Sequence, residues 1–337
     1  MSGFIWPWQL AEKGILGMNR RNVNYIGRYN PRHLFPTVDN KLKTKLLAQQ
    51  AGIPTPELLA TICHQHDVMN FASVLHQQSN GFVLKPANGS AGKGIVVITE
   101  QQDDVFLKAS GSVVTLHDLQ RHVSNTLSGL HSLGGRPDVA LLEERIAVND
   151  YLAQFAHEGL PDIRVIVCRG FPVMAMVRLP TRASDGKANL HQGAVGVGLD
   201  IATGIALNAV QFGKEITLHP DNGRCLASLR IPQWQSVLAV AARCHDLTGL
   251  GYLGVDLVLD DQKGPVLLEL NARPGLAIQV ANGVGLLHRL QRVDALSRHS
   301  LRMPVAERVA CSQTWFAAYS SSPSKPELSV LVDAKSA

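Results

Sequence analysis

A run of alternating apolar and polar residues late in the chain predicts a β-hairpin. Residues 254–259 and 266–271 each alternate, and a polar stretch separates them. Successive side chains of a strand point to opposite faces, so one face of this hairpin is apolar. Its predicted members are Val255, Leu257, Leu259, Val266, Leu268 and Leu270. This apolar face fixes the register, because a slip of one residue would bury the polar side chains.

The other face of the predicted hairpin carries Asp256, Glu269 and Asn271. If the chain turns at Gln262 and Lys263, Asp256 lies opposite Glu269, and Asn271 lies one pleat further along. Carboxylate and amide oxygens grouped in this way suit Mg²⁺, which proteins usually hold with one or two carboxylates and substrate phosphates. The alternative is a polar strand face in water, and the sequence favours the metal site.

The rest of the pattern predicts further helices and strands. A helix over 37–52 would be capped by Thr37 and closed by Gly52. Other predicted helices cover 66–78, part of 103–130, and 234–248, and predicted strands cover 82–85, 95–98, 140–142, 163–168 and 173–179. Residues 1–36 are predicted to form an arm with weak secondary structure, rich in Arg, Asn and Pro. Residues 181–198 are predicted to form a mobile, glycine-rich loop, and residues from about 320 onward a disordered tail.

A glycine-rich segment, residues 88–94, separates two of the predicted strands. Glycines allow backbone N–H groups to approach phosphate oxygens closely. The segment is not a P-loop, because the Gly-x4-Gly-Lys-Ser/Thr pattern is absent and a strand follows it. A simple turn is the alternative, but Lys85, at the end of the preceding strand, favours phosphate binding.

Cationic side chains surround the predicted mobile loop and follow the predicted metal strand. Arg178, Lys187 and Asn189 lie at or in the loop, and Arg273 continues the alternation of the strand beyond Asn271. Phosphoryl transfer needs such cations to offset the charge of the transferring group. The alternative for the loop residues is a basic surface.

Length, composition and charge limit the classes of protein to which this chain can belong, but they do not identify its function. The 337 residues suffice for two domains, and five scattered cysteines suit the reduced thiols of a cytoplasmic protein. The apolar runs stay below the 18 or so residues that a membrane span needs. The formal net charge is +5, with a local basic excess over 20–33. A nucleic-acid binder that uses this stretch is an alternative, but no nucleic-acid fingerprint accompanies the charge.

Taken in order, these segments resemble the ATP-grasp superfamily, specifically the RimK-type glutamate ligases and the related alpha-L-glutamate ligase-like proteins. The resemblance covers about residues 37–290. The segments that carry it are Asp39-Asn40-Lys41-Leu42, Phe82-Val83-Leu84-Lys85-Pro86, residues 88–94, Leu142-Glu143-Glu144-Arg145-Ile146, Asp162-Ile163-Arg164, residues 187–193, Gly254-Val255-Asp256 and residues 268–275. Four positions depart from the family pattern: Asn40 is an insertion, Lys187 and Gln192 each replace an Arg, and Arg273 stands where RimK-type enzymes often carry Ser.

The resemblance implies an α+β ATP-grasp fold, in which two lobes with antiparallel sheets clamp ATP. It divides the chain into an N-terminal arm (1–36), a nucleotide-binding lobe A (37–145), a metal-binding catalytic lobe B (146–300) and a C-terminal tail (301–337). Related ligases begin with an N-terminal α/β domain, for which 36 residues are too few. That domain is expected to be missing, so the arm, an insertion at 147–161, another chain or a second copy would complete the substrate site.

The resemblance also implies the residues that bind ATP and metal. The expected ATP-binding residues are Lys41, Lys85, Gly89, Ser90, Gly92, Lys93, Gly94, Glu143, Glu144, Ile146 and Asp162. Among them, the lysines would contact phosphates, the backbone of Glu144 and Ile146 would contact adenine, and Asp162 would contact ribose. One or two Mg²⁺ ions, for which Mn²⁺ can substitute, would bind Asp256, Glu269 and Asn271.

The expected activity is ATP-dependent ligation of a carboxylate to an amine through an acylphosphate. The expected catalytic residues are Arg273, Arg178, Lys187 and Asn189. The expected substrates are a small-molecule or peptide carboxylate and glutamate or another amino acid. The alternative is a nucleotide-binding regulatory or scaffold protein that keeps the fold without turnover, and the retained acidic residues favour the enzyme.

Overall fold

The computed structural model describes residues 6–318, apart from 76, 79, 90–91, 133 and 298. The described residues form two sheets with antiparallel strand pairing, flanked by helices. The predicted disordered tail, from about residue 320 onward, lies outside the described residues. Ser90, one of the expected ATP-binding residues, also lies outside them. No helix in the described part of the chain is both long and apolar enough to cross a membrane.

The strands are β1 (Leu58–Ile62), β2 (Phe82–Pro86), β3 (Val96–Gln102), β4 (Val105–Lys108), β5 (Val113–Thr115), β6 (Ala140–Glu144), β7 (Asp162–Cys168), β8 (Phe171–Leu179), β9 (Val195–Leu199), β10 (Ala206–Gln211), β11 (Lys214–Glu215), β12 (Tyr252–Asp260) and β13 (Gly264–Asn271). The α-helices are α1 (Pro7–Glu12), α2 (Met18–Arg20), α3 (Gly27–Tyr29), α4 (Pro36–Asp39), α5 (Lys41–Gln50), α6 (Asp67–Leu75), α7 (Leu116–Leu127), α8 (Asp150–Ala153), α9 (Trp234–Thr248), α10 (Ile278–Asn282), α11 (Leu287–Asp294) and α12 (Val305–Phe316). A π-helix covers Arg21–Ile26, and 3₁₀ turns cover Arg32–Leu34, Arg182–Ser184, Leu190–Gln192, Leu226–Ser228 and Ser300–Arg302.

The first sheet has the strand order β1-β6-β2-β3-β4-β5. Its own small core includes Phe71 of α6, Phe82 of β2 and Phe106 of β4, all 2% exposed or less. The last two strands of this sheet, β4 and β5, fall inside the stretch in which the sequence predicted only a helix. They are short and half exposed, so their apolar alternation is weak.

The second sheet has the order β11-β10-β9-β8-β7-β12-β13 and lies in the larger core. The N-terminal arm joins this core through Leu16, Tyr25 and Ile26. The expectation of an arm with little secondary structure was therefore wrong, since α1, α2, the π-helix and α3 occupy it. Helix α12, within the predicted C-terminal tail, also packs into the core through Val309 and Phe316.

Asn40 interrupts the helix predicted over 37–52 and separates α4 from α5. Its backbone is extended (φ −111°, ψ 109°), and its side chain accepts a hydrogen bond from Lys43 N at 2.9 Å. An Asn at this position satisfies one of the free N–H groups of a helix start. The prediction of Thr37 as the cap was wrong, because its hydroxyl donates to Leu34 O.

The predicted hairpin is present, and Asp256 pairs with Glu269 as expected. The turn and strand β13 each differ from the prediction by one residue, and the two differences cancel. The turn contains three residues, 261–263, instead of two, because Asp260 pairs with Gly264. A β-bulge at Leu268 then restores the register, since one extra residue on β13 shifts the pairing back by one.

The bulge changes which side chains of β13 face the core. Leu267 joins the larger core, whereas Val266 and Leu268 do not. The predicted apolar face was therefore wrong at positions 266 and 268. Leu270, beyond the bulge, packs in the core as predicted. A regular strand cannot place both Leu267 and Leu270 on one face, and the bulge makes this possible.

Residues 195–199 form the buried strand β9, which corrects the prediction of a mobile loop over that part of 181–198. The glycines of this strand allow a helix to pack directly against it. A Cβ at Gly198 would lie 2.4 Å from Ala281 O of α10. The sequence signal was hidden because a Val-Gly-Val-Gly run has few large apolar side chains.

Candidate active site

Two buried lysines share one buried carboxylate at the cleft side of the first sheet. Glu143 of β6 contacts Lys45 Nζ of α5 through Oε1 at 2.9 Å and Lys85 Nζ of β2 through Oε2 at 2.6 Å. All three side chains are at most 7% exposed. With both lysines protonated, the cluster has one excess positive charge in a poorly solvated place, and such a charge attracts anions strongly.

Lys45 was absent from the predicted site. Burial lowers its pKa, although the negative charge of Glu143 opposes this shift. Its ammonium also donates to the carbonyl of Pro56. Lys41 and Lys45 are four residues apart on α5 and so share one helix face, which is the signal that could have identified Lys45.

Lys41 connects the glycine-rich turn to the predicted metal strand. Its Nζ donates to Gly89 O at 2.6 Å and lies 3.7 Å from Glu269 Oε1. Lys41, Lys45, Lys85 and Glu269 also line one small cleft between the sheets. Phosphate-binding candidates and a metal-binding candidate thus converge at one place.

The glycine-rich turn is anchored at its start and shaped by its glycines. Asp138, which is 6% exposed, accepts hydrogen bonds from Asn88 N at 3.0 Å and Asn88 Nδ2 at 2.7 Å. Gly92 and Gly94 both have φ of +74°, which favours glycine. Lys93 is exposed between them. Asp138 was not identified from the sequence, because it lies 50 residues from its partner.

The end of β6 carries the predicted adenine contacts. Glu144 N–H donates to Glu57 O at 3.0 Å, and the Glu144 carboxylate accepts from Glu57 N at 2.7 Å. The same carboxylate contacts the ammonium of Lys263 in the β12–β13 turn. Ile146 is half-buried just beyond the strand. The contact of Glu144 and Ile146 with adenine stays a prediction.

Asp256 lies at the centre of the charge cluster on the second sheet. Arg164 of β7 binds it in a bidentate manner, with Nε–Oδ1 at 2.7 Å and Nη2–Oδ2 at 2.5 Å. Arg178 Nη2 lies 3.0 Å from Asp256 Oδ2, and Asn271 Nδ2 donates to the same oxygen at 3.2 Å. Arg178 also pairs with Asp162, which lies opposite it on β7. The role of Arg164 was missed because its partner is 92 residues away.

The two aspartates of this cluster have opposite pKa shifts. Burial raises the pKa of Asp162 to about 7; the positive charge of Arg178 opposes this and the negative charge of Asp256 adds to it. Burial would also raise the pKa of Asp256, but Arg164 and Arg178 outweigh it and lower that pKa. Asp256 is therefore ionised at neutral pH, and its negative charge contributes to the raised pKa of its neighbour.

The predicted metal ligands have the right chemistry for a hard cation. Asp256 and Glu269 face each other across β12 and β13, where Cβ atoms of such pairs are about 5 Å apart, and Asn271 follows along β13. The Glu269 side chain is 37% exposed, and its described ion-pair contact is the long one to Lys41. Within the described part of the chain, no group of three or more His, Cys, Asp or Glu side chains could hold a metal. The predicted site is of another kind, with two carboxylates and an amide oxygen.

The predicted catalytic residues are separated in the structure. Arg178 belongs to the Asp256 cluster, whereas Arg273 is exposed, with its guanidinium carbon 4.5 Å from the centroid of the Phe35 ring. Lys187 pairs with Asp185 at 3.0 Å. Asn189 accepts from His191 N at 3.0 Å and caps a 3₁₀ turn. No described hydrogen bond or ion pair joins the Lys187 or Asn189 side chain to the Asp256 cluster.

Comparison with known proteins assigns the family. A profile described as sugar-transfer associated ATP-grasp matches residues 20–295. The chain belongs to the sugar-transfer associated ATP-grasp family. The predicted α+β ATP-grasp fold with two antiparallel sheets is thereby confirmed.

Two curated relatives of this chain are both named as probable glutamate ligases. A probable alpha-L-glutamate ligase of Syntrophotalea carbinolica is 24% identical over 248 residues, covering 72% of this chain and 59% of the relative. A protein of the same name from Maridesulfovibrio salexigens is 27% identical over 135 residues, covering 40% of this chain and 33% of the relative. The chain thus matches less than two thirds of the length of each.

Solved ATP-grasp structures are more distant. The D-cycloserine synthetase DcsG has 16% identity and a TM-score of 0.46, with 90% of this chain and 82% of that chain covered. The ATP-grasp ligase PsnB in complex with a minimal precursor has 15% identity and a TM-score of 0.44, with 84% and 63% covered.

Proposed function

We propose that this protein is an ATP-dependent carboxylate–amine ligase that uses Mg²⁺. The observation that carries the proposal is the position of Lys41, with Gly89 O at 2.6 Å and Glu269 Oε1 at 3.7 Å. This lysine links the glycine-rich turn to the strand of the candidate metal ligands. A triphosphate bound by the turn and the lysines would therefore end beside those ligands.

The residues of the first sheet would hold the nucleotide. Lys85 and Lys41 would neutralise phosphate charge, and the backbone N–H groups of residues 88–94 would bind phosphate oxygens. Lys45 keeps Glu143 partly neutralised, so that Lys85 retains positive charge for the phosphates. Mg²⁺ held by Asp256, Glu269 and Asn271 would supply positive charge that offsets the charge of the transferring phosphoryl group.

The reaction needs two displacements. An oxygen of the acceptor carboxylate attacks the γ-phosphorus, the bond to the β,γ-bridging oxygen breaks, and an acylphosphate and ADP form. The amine nitrogen then attacks the acyl carbon, inorganic phosphate leaves, and the amine loses a proton. Arg178 would stabilise the negative charge of the acylphosphate and the tetrahedral intermediate, and Arg273 would bind the acceptor substrate. No side-chain nucleophile takes part.

The amine substrate in this proposal is glutamate or another amino acid. The two relatives are named probable alpha-L-glutamate ligases, which supports glutamate first. The carboxylate substrate is a small molecule or a peptide.

The alternative is a nucleotide-binding protein without turnover, and one observation favours it. Both oxygens of Asp256 already accept hydrogen bonds from guanidinium groups, so a metal would compete with Arg164 and Arg178 for this carboxylate. Such competition would lower the occupancy of a metal site that depends on Asp256.

The test is phosphate release with ATP, Mg²⁺, amino acids and a panel of small and peptide carboxylates, followed by mass spectrometry of the products. We expect amide products whose formation falls about 100-fold or more in Glu269→Gln, because several kcal/mol of charge stabilisation are lost. Glu215→Gln, at an exposed position of β11, is the matched control and should keep full activity. ATP binding without turnover under every condition would support the alternative.

A further inference from the structure

The N-terminal arm holds the segment that follows the candidate metal strand. Asn30, which is 3% exposed, donates from Nδ2 to Ala272 O at 2.9 Å and accepts at Oδ1 from Tyr252 N at 2.9 Å. Arg21 donates from Nη1 to Pro274 O at 2.9 Å. The arm is thus bonded to the start of β12 and to the chain just beyond the end of β13.

Between these two contacts, the arm also orients Arg273. The Arg273 guanidinium lies over the Phe35 ring, with 4.5 Å from its carbon to the ring centroid. Phe35 is packed against the larger core, so the ring is a fixed platform. A cation–π contact of this kind favours one orientation of a flexible side chain.

The segment held by the arm lies beside the candidate metal ligands. Gly254 lies on the same face of β12 as Asp256, and a Cβ at Gly254 would lie 2.8 Å from Pro274 Cβ and 3.6 Å from Asn271 Cβ. The Pro274 ring therefore covers the strand face two residues from Asp256. Residues 272–274, which we call the exit turn, therefore lie beside the strand face that carries the candidate metal ligands.

Two guanidinium groups at the exit turn lack a compensating carboxylate. In the part of the chain that the structure describes, neither Arg21 nor Arg273 forms an ion pair within 4.0 Å. Arg21 bonds to the side chain of Asn22 and to the Pro274 carbonyl, which leaves N–H groups available. Residues 1–36 contain five Lys or Arg and one Glu, so they carry +4 of the chain's formal +5.

We propose that Arg21 and Arg273 form an anion subsite at the exit turn that binds a carboxylate of the acceptor substrate. Guanidinium groups match carboxylates through paired N–H···O bonds. The acceptor is then a molecule with at least two carboxylates, one that reacts and one that the subsite holds. Phe35 and Asn30 are positioning residues, because they fix Arg273 and the exit turn. The identification of the ligand as the acceptor rests on the proposed ligase function.

The test uses glutarate as a dicarboxylate probe and butyrate as its monocarboxylate counterpart, titrated calorimetrically into the full chain without nucleotide. We expect glutarate to bind more tightly than butyrate, and this preference to weaken about tenfold in Arg21→Gln and in Arg273→Gln. Arg28→Gln is the matched control, because Arg28 is an arm arginine that stacks on Tyr29 and has no described contact with the exit turn. Its glutarate affinity should equal that of the unaltered protein.

Phe35 variants separate positioning from folding. Phe35→Leu should weaken glutarate binding by about threefold, because the ring platform is lost, and Phe35→Trp should restore it. Both variants should fold, which a far-UV circular dichroism spectrum equal to that of Arg28→Gln would show. Equal binding of glutarate and butyrate, or an equal loss in Arg28→Gln and Arg273→Gln, would overturn the subsite. Absence of amide products in the ligase test, with glutarate preference intact, would overturn the ligase function alone.

Discussion

The two buried charge clusters differ in their balance. On the first sheet, Lys45 and Lys85 share Glu143, and one positive charge remains in excess. An excess charge in a poorly solvated place is costly, and either a bound anion or the loss of a proton from Lys45, whose pKa burial lowers, would relieve it. While both lysines are protonated, this cluster favours an anion as its ligand.

The cluster on the second sheet is balanced instead. Arg164 and Arg178 face Asp162 and Asp256, so the formal charges cancel when Asp162 is ionised. A balanced cluster can admit a cation only when a guanidinium group gives up its carboxylate. Neighbouring sheets with similar buried ions can therefore differ in how readily each of them binds a ligand.

The largest expected effect comes from removing the single carboxylate of the first cluster. Glu143→Gln leaves two buried ammonium groups without a counter-charge, and we expect the free energy of unfolding to fall by about 3–5 kcal/mol. Urea unfolding measures this. Glu144→Gln, at the next and more exposed position, is the control and should lose no more than about 1 kcal/mol. Equal losses in the two variants would show that the lysines do not depend on Glu143.

A second test uses the raised pKa of Asp162. Its pKa in the folded protein is about 7, whereas the ordinary pKa of an aspartic acid is 3.8, so between these values the folded state binds more protons than the unfolded state. Stability from this group is therefore present at low pH and is lost as the pH rises through about 7, by at most about 1.4 kcal/mol per pH unit.

Urea midpoints at pH 5, 6, 7 and 8 for the unaltered protein and for Asp162→Asn check this expectation. The stability of the unaltered protein relative to the variant should decline across that series. Parallel pH profiles would mean that Arg178 keeps Asp162 ionised throughout, and the balanced cluster would then carry no titrating group in this range.

The smallest expected effect concerns a third charge pair, which lies at the surface. Lys263 in the β12–β13 turn contacts Glu144 at the end of β6, and their side chains are 39% and 26% exposed. Lys263→Met should change the free energy of unfolding by only about 0.2–1 kcal/mol, because solvent screens the pair. Lys93→Met, in the exposed glycine-rich turn, is the reference. A loss as large as that of Glu143→Gln would remove the distinction between buried and surface pairs.

The local spacing of apolar residues was enough to predict part of this fold. Helix α9 has the bounds predicted from its apolar spacing, and the pairing of Asp256 with Glu269 follows from alternation within one hairpin. Strand β9 was not predictable in the same way, because glycines replace the large side chains that mark a buried strand. Its burial depends on α10, which follows some 80 residues later.

Residues of the candidate site could be predicted only where they belong to one short, recognisable segment. Lys41 and Lys85 stand in recognisable segments, but Arg164 and Asp138 act on partners 92 and 50 residues away. Such pairs depend on strand order, and alternation along a single segment contains no information about that order. The contact of the arm with the exit turn, as between Asn30 and Ala272, spans 242 residues and is hidden for the same reason.

The bulge at Leu268 has a consequence for how this hairpin can change in length. If β12 and β13 paired without the bulge, Asp256 would lie opposite Leu268, because the three-residue turn at 261–263 fixes Asp260 opposite Gly264. A chain that lacks residue 268 would keep Leu257 opposite Leu267 and would still bring Asp256 opposite Glu269, now in a regular strand. The hairpin can therefore shorten at the bulge while the two carboxylates stay face to face.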